Sequence, residues 1–242
     1  MMKRLLLCAA ICLMAAVPVQ GGEKLTFSAI EATFNTRIST QVMTEAYRRM
    51  GIEISVAEYP GKRALLYANL GETDGELFRI AGIEERYRNL IRVPVVINRL
   101  DGMVYTKGMH FPVDGWESLR PYRVGVRRGI LYSEKGTSGM GPFVANSYEG
   151  LFDALDKGVV DLAVMPRVNG LANWEKLQTM GIRMLEPPVH SEPMYHYLHK
   201  RHAELAPALT KALRQMEEEG LIQGIRERSL STLRGAPGQG SP

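Results

Sequence analysis

Arg79 closes the apolar pair Leu77-Phe78 in the run Gly71-Glu-Thr-Asp-Gly-Glu-Leu-Phe-Arg-Ile-Ala-Gly82. Two chemistries are open to a guanidinium there. It can grip a carboxylate or phosphate through two parallel hydrogen bonds. It can also form an internal ion pair with Asp74, Glu76 or Glu31, since charges beside an apolar run are costly unless paired or wet. Glu31 follows a first apolar stretch, where it would accept from a ligand amine or sit solvated in a loop. Arg127 and Arg128 end the strand-like Tyr122-Arg-Val-Gly-Val-Arg127. Neighbours on a strand point to opposite faces, so one of the two should face a site. Tyr59, Tyr132 and Tyr195 would either wall that site or fill a core.

Other constellations carry less. His196, His199 and His202 resemble a metal cluster in spacing. A strand that passes into a helix start does not make them converge, and zinc geometry is demanding; no metal or other cofactor is expected. Gly136-Thr-Ser-Gly-Met-Gly141 lacks the G-x-G-x-x-G order of a dinucleotide site. It also fails G-x-S-x-G, because position 140 is Met. No catalytic residue is expected. Asp74 and Asp161 each precede a strand after a Gly turn, which favours turn or capping bonds over ligand contact.

The elements that position these residues follow from periodicity. Lys24–Ile30 reads as a strand. Thr36 is placed to cap a helix reaching Met50, with Ile38, Val42, Ala46 and Met50 on one face and Gly51 ending it. Ile52–Ala57 alternates as a second strand, and Gly61–Leu70 is a helix stopped by Gly71. Leu90–Val96 and Gly102–Thr106 are two extended segments. Ser147 caps a helix over Tyr148–Lys157, Val159–Met165 is a buried strand, and Asn169–Met180 is helical. Ile182–Leu185 and Met194–Leu198 are extended. Ala203–Glu218 is a helix with Leu205, Leu209, Leu213 and Met216 on one face, followed by a short helix over Leu221–Arg228. Strand alternating with helix is the rhythm of an α/β fold with a mainly parallel sheet.

Residues 1–22 read as an export signal: Lys3 and Arg4, an apolar Leu5–Val17, then small residues at Val19-Gln-Gly21. The apolar run is too short to span a bilayer. Both cysteines, Cys8 and Cys12, lie within it, so the exported chain would have no thiol or disulfide. Without Lys3 and Arg4 the net charge falls from +4 to +2. Such a balance excludes the concentrated basic face of a nucleic-acid binder. Composition turns polar near Lys107 and again at Pro187-Pro188, so crossovers between two lobes are expected near 107 and near 190. The expected organisation is a signal over 1–22, a first lobe over 23–107, a second over 108–190, a return to the first over 191–235, and a disordered tail over 236–242.

The order of these pieces resembles the family 3 bacterial extracellular solute-binding proteins. The marks are the export signal, Ala46-Tyr-Arg-Arg-Met-Gly-Ile52, Gly71-Glu-Thr-Asp-Gly-Glu76, Tyr122-Arg-Val-Gly-Val-Arg-Arg-Gly129, Leu155-Asp-Lys-Gly-Val-Val-Asp-Leu-Ala-Val164, and the closing helix from His202 through Glu219-Gly-Leu-Ile222. The resemblance implies the two-lobed periplasmic binding protein type II fold, with two crossover strands and a ligand cleft between the lobes. It also implies a monomeric periplasmic protein, not an enzyme, that captures a small polar ligand (an amino acid, or a related carboxylate or amine) for an ABC-type importer with a membrane permease as partner. A sensory or accessory protein that presents ligand to a receptor is the alternative, with a cyclohexadienyl-dehydratase-like enzyme behind it. Ligands in such lobes lie outside the carboxyl ends of the strands. That gathers Glu31, Tyr59, Arg63, Arg79, Arg127, Arg128, Tyr132 and Tyr195 as ligand-binding candidates. The family's carboxylate-gripping arginine would correspond to Arg86 in Gly82-Ile-Glu-Glu-Arg-Tyr87, a segment without the usual Thr, and Arg79 competes with it. Arg128-Gly129-Ile130 stands where the family often has Gly-Thr.

Overall fold

The computed structural model describes residues 24–233; the expected export signal and the expected disordered tail lie outside them. The first elements are β1 (Leu25–Ile30), α1 (Phe34–Arg49), β2 (Ile54–Tyr59), α2 (Gly61–Leu70), β3 (Gly75–Ile80) and β4 (Leu90–Lys107). Then come β5 (Val124–Arg127), α3 (Leu131–Gly136), β6 (Phe143–Ala145), α4 (Tyr148–Asp156), β7 (Leu162–Pro166), α5 (Arg167–Ala172) and α6 (Trp174–Thr179). The chain closes with β8 (Ile182–His199), α7 (Ala206–Glu218) and α8 (Leu221–Leu233).

Helix α1 starts earlier than its periodicity predicts. Thr33, not Thr36, is the cap: its backbone is extended, and its hydroxyl accepts from Thr36 N–H at 3.1 Å. The Thr36 hydroxyl instead donates to Ile30 O, tying the helix to the end of β1. Ile38, Val42, Ala46 and Tyr47 then face the core, and the helix stops before Gly51 at φ +73°. The helix expected over Asn169–Met180 is two, α5 and α6, because Asn173 leaves helical geometry and its side-chain amide donates to Asn169 O.

The sheet runs β2-β1-β3-β8-β4-β7-β5-β6. β1 pairs in parallel with β2 and β3, as β5 does with β6 and β7. These parallel groups are joined by β4 and β8, two 18-residue antiparallel strands. Each reads in sequence as two short segments because bulges interrupt its alternation. The largest irregularity lies between the pairs Gly102↔His190 and Val104↔Leu185. It absorbs Pro187 and Pro188, which have no N–H to give a ladder, and the Glu186–Pro187 peptide is cis.

Two lobes result. The first is centred on Phe27, Val42, Tyr47, Leu77, Ile97, Leu198 and Leu213. The second holds Met103, Tyr105, Phe152 and Met165 on one side of its sheet, and Val104, Val126, Leu162 and Val164 on the other. β4 therefore changes core between Ile97 and Met103, and its last residues, assigned to the first lobe on composition, pack in the second. β8 makes the return change between Val189 and Met194.

The repeated Gly-turn-Asp feature has one structural role in both lobes. Asp74 accepts Thr26 N–H at 2.7 Å while its own N–H reaches Thr26 O. Asp161 does the same with Arg123, at 2.8 Å. Each carboxylate satisfies a backbone donor where a parallel strand begins.

His196 is fully buried among Phe27 and Tyr47. Its Nδ1 lies 3.0 Å from Leu77 O, which can only accept, so Nδ1 carries the proton and Nε2 accepts from the Tyr47 hydroxyl at 3.0 Å. Burial lowers its pKa to about 4, against the opposing bond to Leu77. A depressed histidine stabilises the fold above its unfolded value near 6.5 and loses that contribution as pH falls toward 4. The stability gap between wild type and His196→Leu should therefore shrink by about 3 kcal/mol from pH 7 to pH 4. Urea unfolding of both proteins across that range checks this; a constant gap would show that His196 takes a proton without cost.

Candidate functional site

Arg79 is half-buried near the end of β3, and Glu76, three residues earlier across an irregularity in that strand's pairing with β8, is completely buried. The Ser28 hydroxyl donates to Glu76 Oε2 at 2.6 Å, and Arg79 Nη2 lies 2.7 Å from Oε1. The same nitrogen donates to Gly61 O at 2.8 Å, while its contact with Oε1 is a close charge contact without aligned hydrogen-bond geometry. Burial pushes the Glu76 carboxyl up to about 7, against the pull of Arg79 and Ser28. The Arg79 guanidinium is thus held at the seam of β3 and α2.

A cleft of about 450 Å³ opens at the carboxyl ends of β1, β5 and β7. Glu31, Phe34 and Asn35 line it from the first lobe, and Leu100 from β4. Arg127, Ile130, Tyr148, Val168 and Asn169 line it from the second. Glu31 and Arg127 are its two charged residues. The Arg127 guanidinium lies 4.6 Å from the centre of the Tyr148 ring, and its Nε is buried with no acceptor. Burial raises the Tyr148 phenol, and Arg127 pulls the other way. Arg128, one residue on, is exposed and donates to Asn146 Oδ1 at 3.0 Å. The alternation of β5 thus puts Arg127 in the cleft and Arg128 outside it.

A second cavity of about 420 Å³ is lined by Ile80, Trp116, Leu131, Tyr132, Lys135, Gly136, His190 and Glu192. Tyr132 stacks on His190 at 5.0 Å and 8°. Its ring can lie against β4 only because residue 102 is glycine; a Cβ there would come within 2.4 Å of the ring. The Tyr132 hydroxyl is buried without a partner in protein.

Beside the cleft, Asp101 of β4 ties three elements together. It accepts from Ser191 of β8 at 2.7 Å, from Arg226 of α8 at 2.5 Å and from Arg167 of α5 at 3.3 Å, and Arg167 also binds Glu186. Burial alone would raise the Asp101 pKa; Ser191, Arg226 and Arg167 outweigh it and hold the carboxylate ionised.

The remaining candidates line neither cavity. Tyr59 packs edge-on against Tyr67. Arg63 is exposed in the first turn of α2. Arg86 is exposed, with its guanidinium 5.8 Å from the Tyr87 ring. Tyr195 lies under Arg92. Of the histidines, His196 is in the core and His202 meets Asp74 at 2.7 Å. Among the described residues no three His, Cys, Asp or Glu side chains are grouped to hold a metal. Asn35, Leu100, Tyr148 and Asn169 were not foreseen. Tyr148 alone had a sequence signal, since it follows the Ser147 cap that fixes the start of α4.

No protein-family model matches the chain. An uncharacterized protein of Shewanella oneidensis is 26% identical over 207 residues, covering 81% of this chain and 77% of that one. Among solved structures, the probable amino-acid ABC transporter extracellular-binding protein of Bacillus subtilis superposes with a TM-score of 0.67 at 14% identity, over 86% of this chain and 98% of that one. The L-cystine solute receptor of Neisseria gonorrhoeae, in an unliganded open conformation, gives 0.66 at 11% identity, over 87% and 94%. This is the periplasmic binding protein type II fold. A histidine kinase sensor domain with similarity to periplasmic binding proteins shares it, at 0.60 and 16% identity over 87% and 97%. At such identities the likeness establishes the fold. Among the described residues no helix is long and apolar enough to cross a membrane.

Arg79→Met would leave Glu76 buried opposite no cation. Removing one member of a buried pair costs about 3–5 kcal/mol, so urea unfolding at pH 8 should show a loss of that order. Without Arg79 to pull it down, Glu76 is held above its wild-type value of about 7, so the loss should shrink as pH falls toward 7, where the carboxyl becomes protonated in both folded proteins, and stay level below that. Adding Glu76→Gln should restore most of the stability at pH 8. A double variant as unstable as Arg79→Met alone would show that the pair is not what holds this seam.

Proposed function

We propose that the protein is a non-enzymatic solute-binding protein that captures a small polar ligand in the cleft between its lobes. The observation that carries this reading is the position of the cleft. It lies outside the carboxyl ends of β1, β5 and β7, between lobes joined by β4 and β8, where α/β folds hold their ligands. A pair of joining strands lets the lobes move relative to each other, and ligand contacts made only in the closed form would drive closure. Export to the periplasm, action as a monomer and delivery to an ABC-type importer complete the proposal. A sensory role is the second reading, favoured by the histidine kinase sensor domain that shares the fold.

Micromolar affinity corresponds to about −8 kcal/mol, within reach of a few charge-assisted bonds in a dry cleft. Ligand at a hundred times its dissociation constant would stabilise the folded form by about 2.7 kcal/mol. For a chain of this size that raises the melting temperature by roughly 5–10 °C. A thermal-shift screen of amino acids, small carboxylates, amines and neutral sugars on the exported chain should give such a shift. Well-folded protein with no shift from any class would sink the reading.

A further inference from the structure

The cleft carries one cation and one anion, and neither has a protein partner of opposite charge among the described residues. Arg127 stands on the second lobe and Glu31 on the first. Arg79, Arg167 and Arg226, the other arginines set well into the structure near the lobe junction, each hold a carboxylate: Glu76, Asp101 with Glu186, and Asp101. Arg127 is the exception. Its guanidinium carbon lies 4.6 Å from the centre of the Tyr148 ring, over the ring's face, which seats the group at the cleft wall. Its buried Nε has no acceptor. A planar fork whose donors are partly desolvated and unmet is matched by a carboxylate, which accepts two parallel bonds. Across the cleft, Glu31 is exposed and makes no ion pair, and its backbone N–H is held by Tyr59 O so that the residue keeps its place at the end of β1.

The arginines of the first lobe do not offer the same grip. Arg79 is committed to Glu76 and Gly61 O, and Arg86 lies exposed outside the cleft. We infer that the ligand is zwitterionic and is bound with its carboxylate on the second lobe, at Arg127 over Tyr148, and its cationic group toward Glu31 on the first. This polarity is the reverse of the one implied by the resemblance, in which a first-lobe arginine takes the carboxylate. It also makes the ligand itself the link between the lobes: each end satisfies a charge on one lobe, so both charges are met only when the lobes close on it.

The inference rests on the solute-binding reading, and one calorimetric experiment separates the two. Wild type, Arg127→Gln, Arg127→Lys and Glu31→Gln are titrated with L-amino acids, with the matching decarboxylated amines and with the matching deaminated carboxylic acids. Circular dichroism and urea unfolding establish that each variant is folded. At least one amino acid should bind wild type, and its decarboxylated amine should bind at least about tenfold more weakly, as loss of a charge-assisted bond requires. Arg127→Gln should weaken the amino acid and the carboxylic acid by about 10–100-fold and leave the amine unchanged. Arg127→Lys should restore only part of that loss, because the fork is gone. Glu31→Gln should weaken the amino acid and the amine and leave the carboxylic acid unchanged. If no compound binds wild type, the solute-binding reading falls and the inference with it. If a compound binds but Arg127→Gln weakens amine and amino acid alike, or leaves both unaffected, the reading stands and the polarity is overturned.

Discussion

The pairing of β4 with β8 is the constraint on which the rest of the structure depends. Two strands of 18 residues run antiparallel through both lobes, and every other strand attaches to one end of that ribbon or the other. β3 joins it through β8, and β7 joins it through β4. Without the ribbon, each lobe is a three-stranded parallel group that leaves an edge unpaired. With it, one sheet of eight strands carries two separate cores. The strands cannot be apolar throughout, because between the cores they cross a region that belongs to neither. There β4 carries Asn98, Arg99 and Asp101, and β8 carries Ser191 and Glu192.

That polar crossing explains why the cleft has a defined shape. Asp101 gathers Ser191, Arg167 and Arg226, so the ribbon, the start of α5 and the last helix meet at one buried carboxylate. A buried carboxylate with three donors is a demanding arrangement, and leaving it short of one would expose an uncompensated charge. The arrangement of those elements is therefore favoured as a set. Aromatic packing does the corresponding work on the second cavity, where Gly102 and Gly136 leave room for Tyr132 and Trp116 to lie flat against their neighbours.

Two buried titratable groups in the first lobe act in opposite senses. Burial raises Glu76 and lowers His196, each away from its charged form. Between about pH 4.5 and 6.5 the proton that Glu76 favours is the proton His196 resists, so their contributions to stability offset. Such a pair gives a flatter stability profile across that range. The effect arises from burial alone and needs no contact between the two residues.

Much of this fold could be read before any coordinates. Helix α4 with its Ser147 cap, the Gly51 and Gly71 stops, the face of Leu209, Leu213 and Met216, and the paired roles of Asp74 and Asp161 all rest on short-range rules, and those rules act within a few residues. The continuity of β4 and β8 could not be read that way, since bulges break alternation and only the partner strand shows that the ladder resumes. Nor could the sequence say which arginines stay free. Arg79 is the last residue but one of its strand and Arg127 the last of its own, both after apolar residues, and they look alike in the chain. What separates them is a partner at a distance: Ser28 and Gly61 build a buried seat for Glu76 and Arg79, while β5 delivers Arg127 to Tyr148 with no ion-pair partner among the described residues. Residue types and their local periodicity determined the elements, the turns and the α/β class. The tertiary structure alone decided which charges are spent inside the protein and which are left unpaired, because that depends on contacts between segments far apart in sequence.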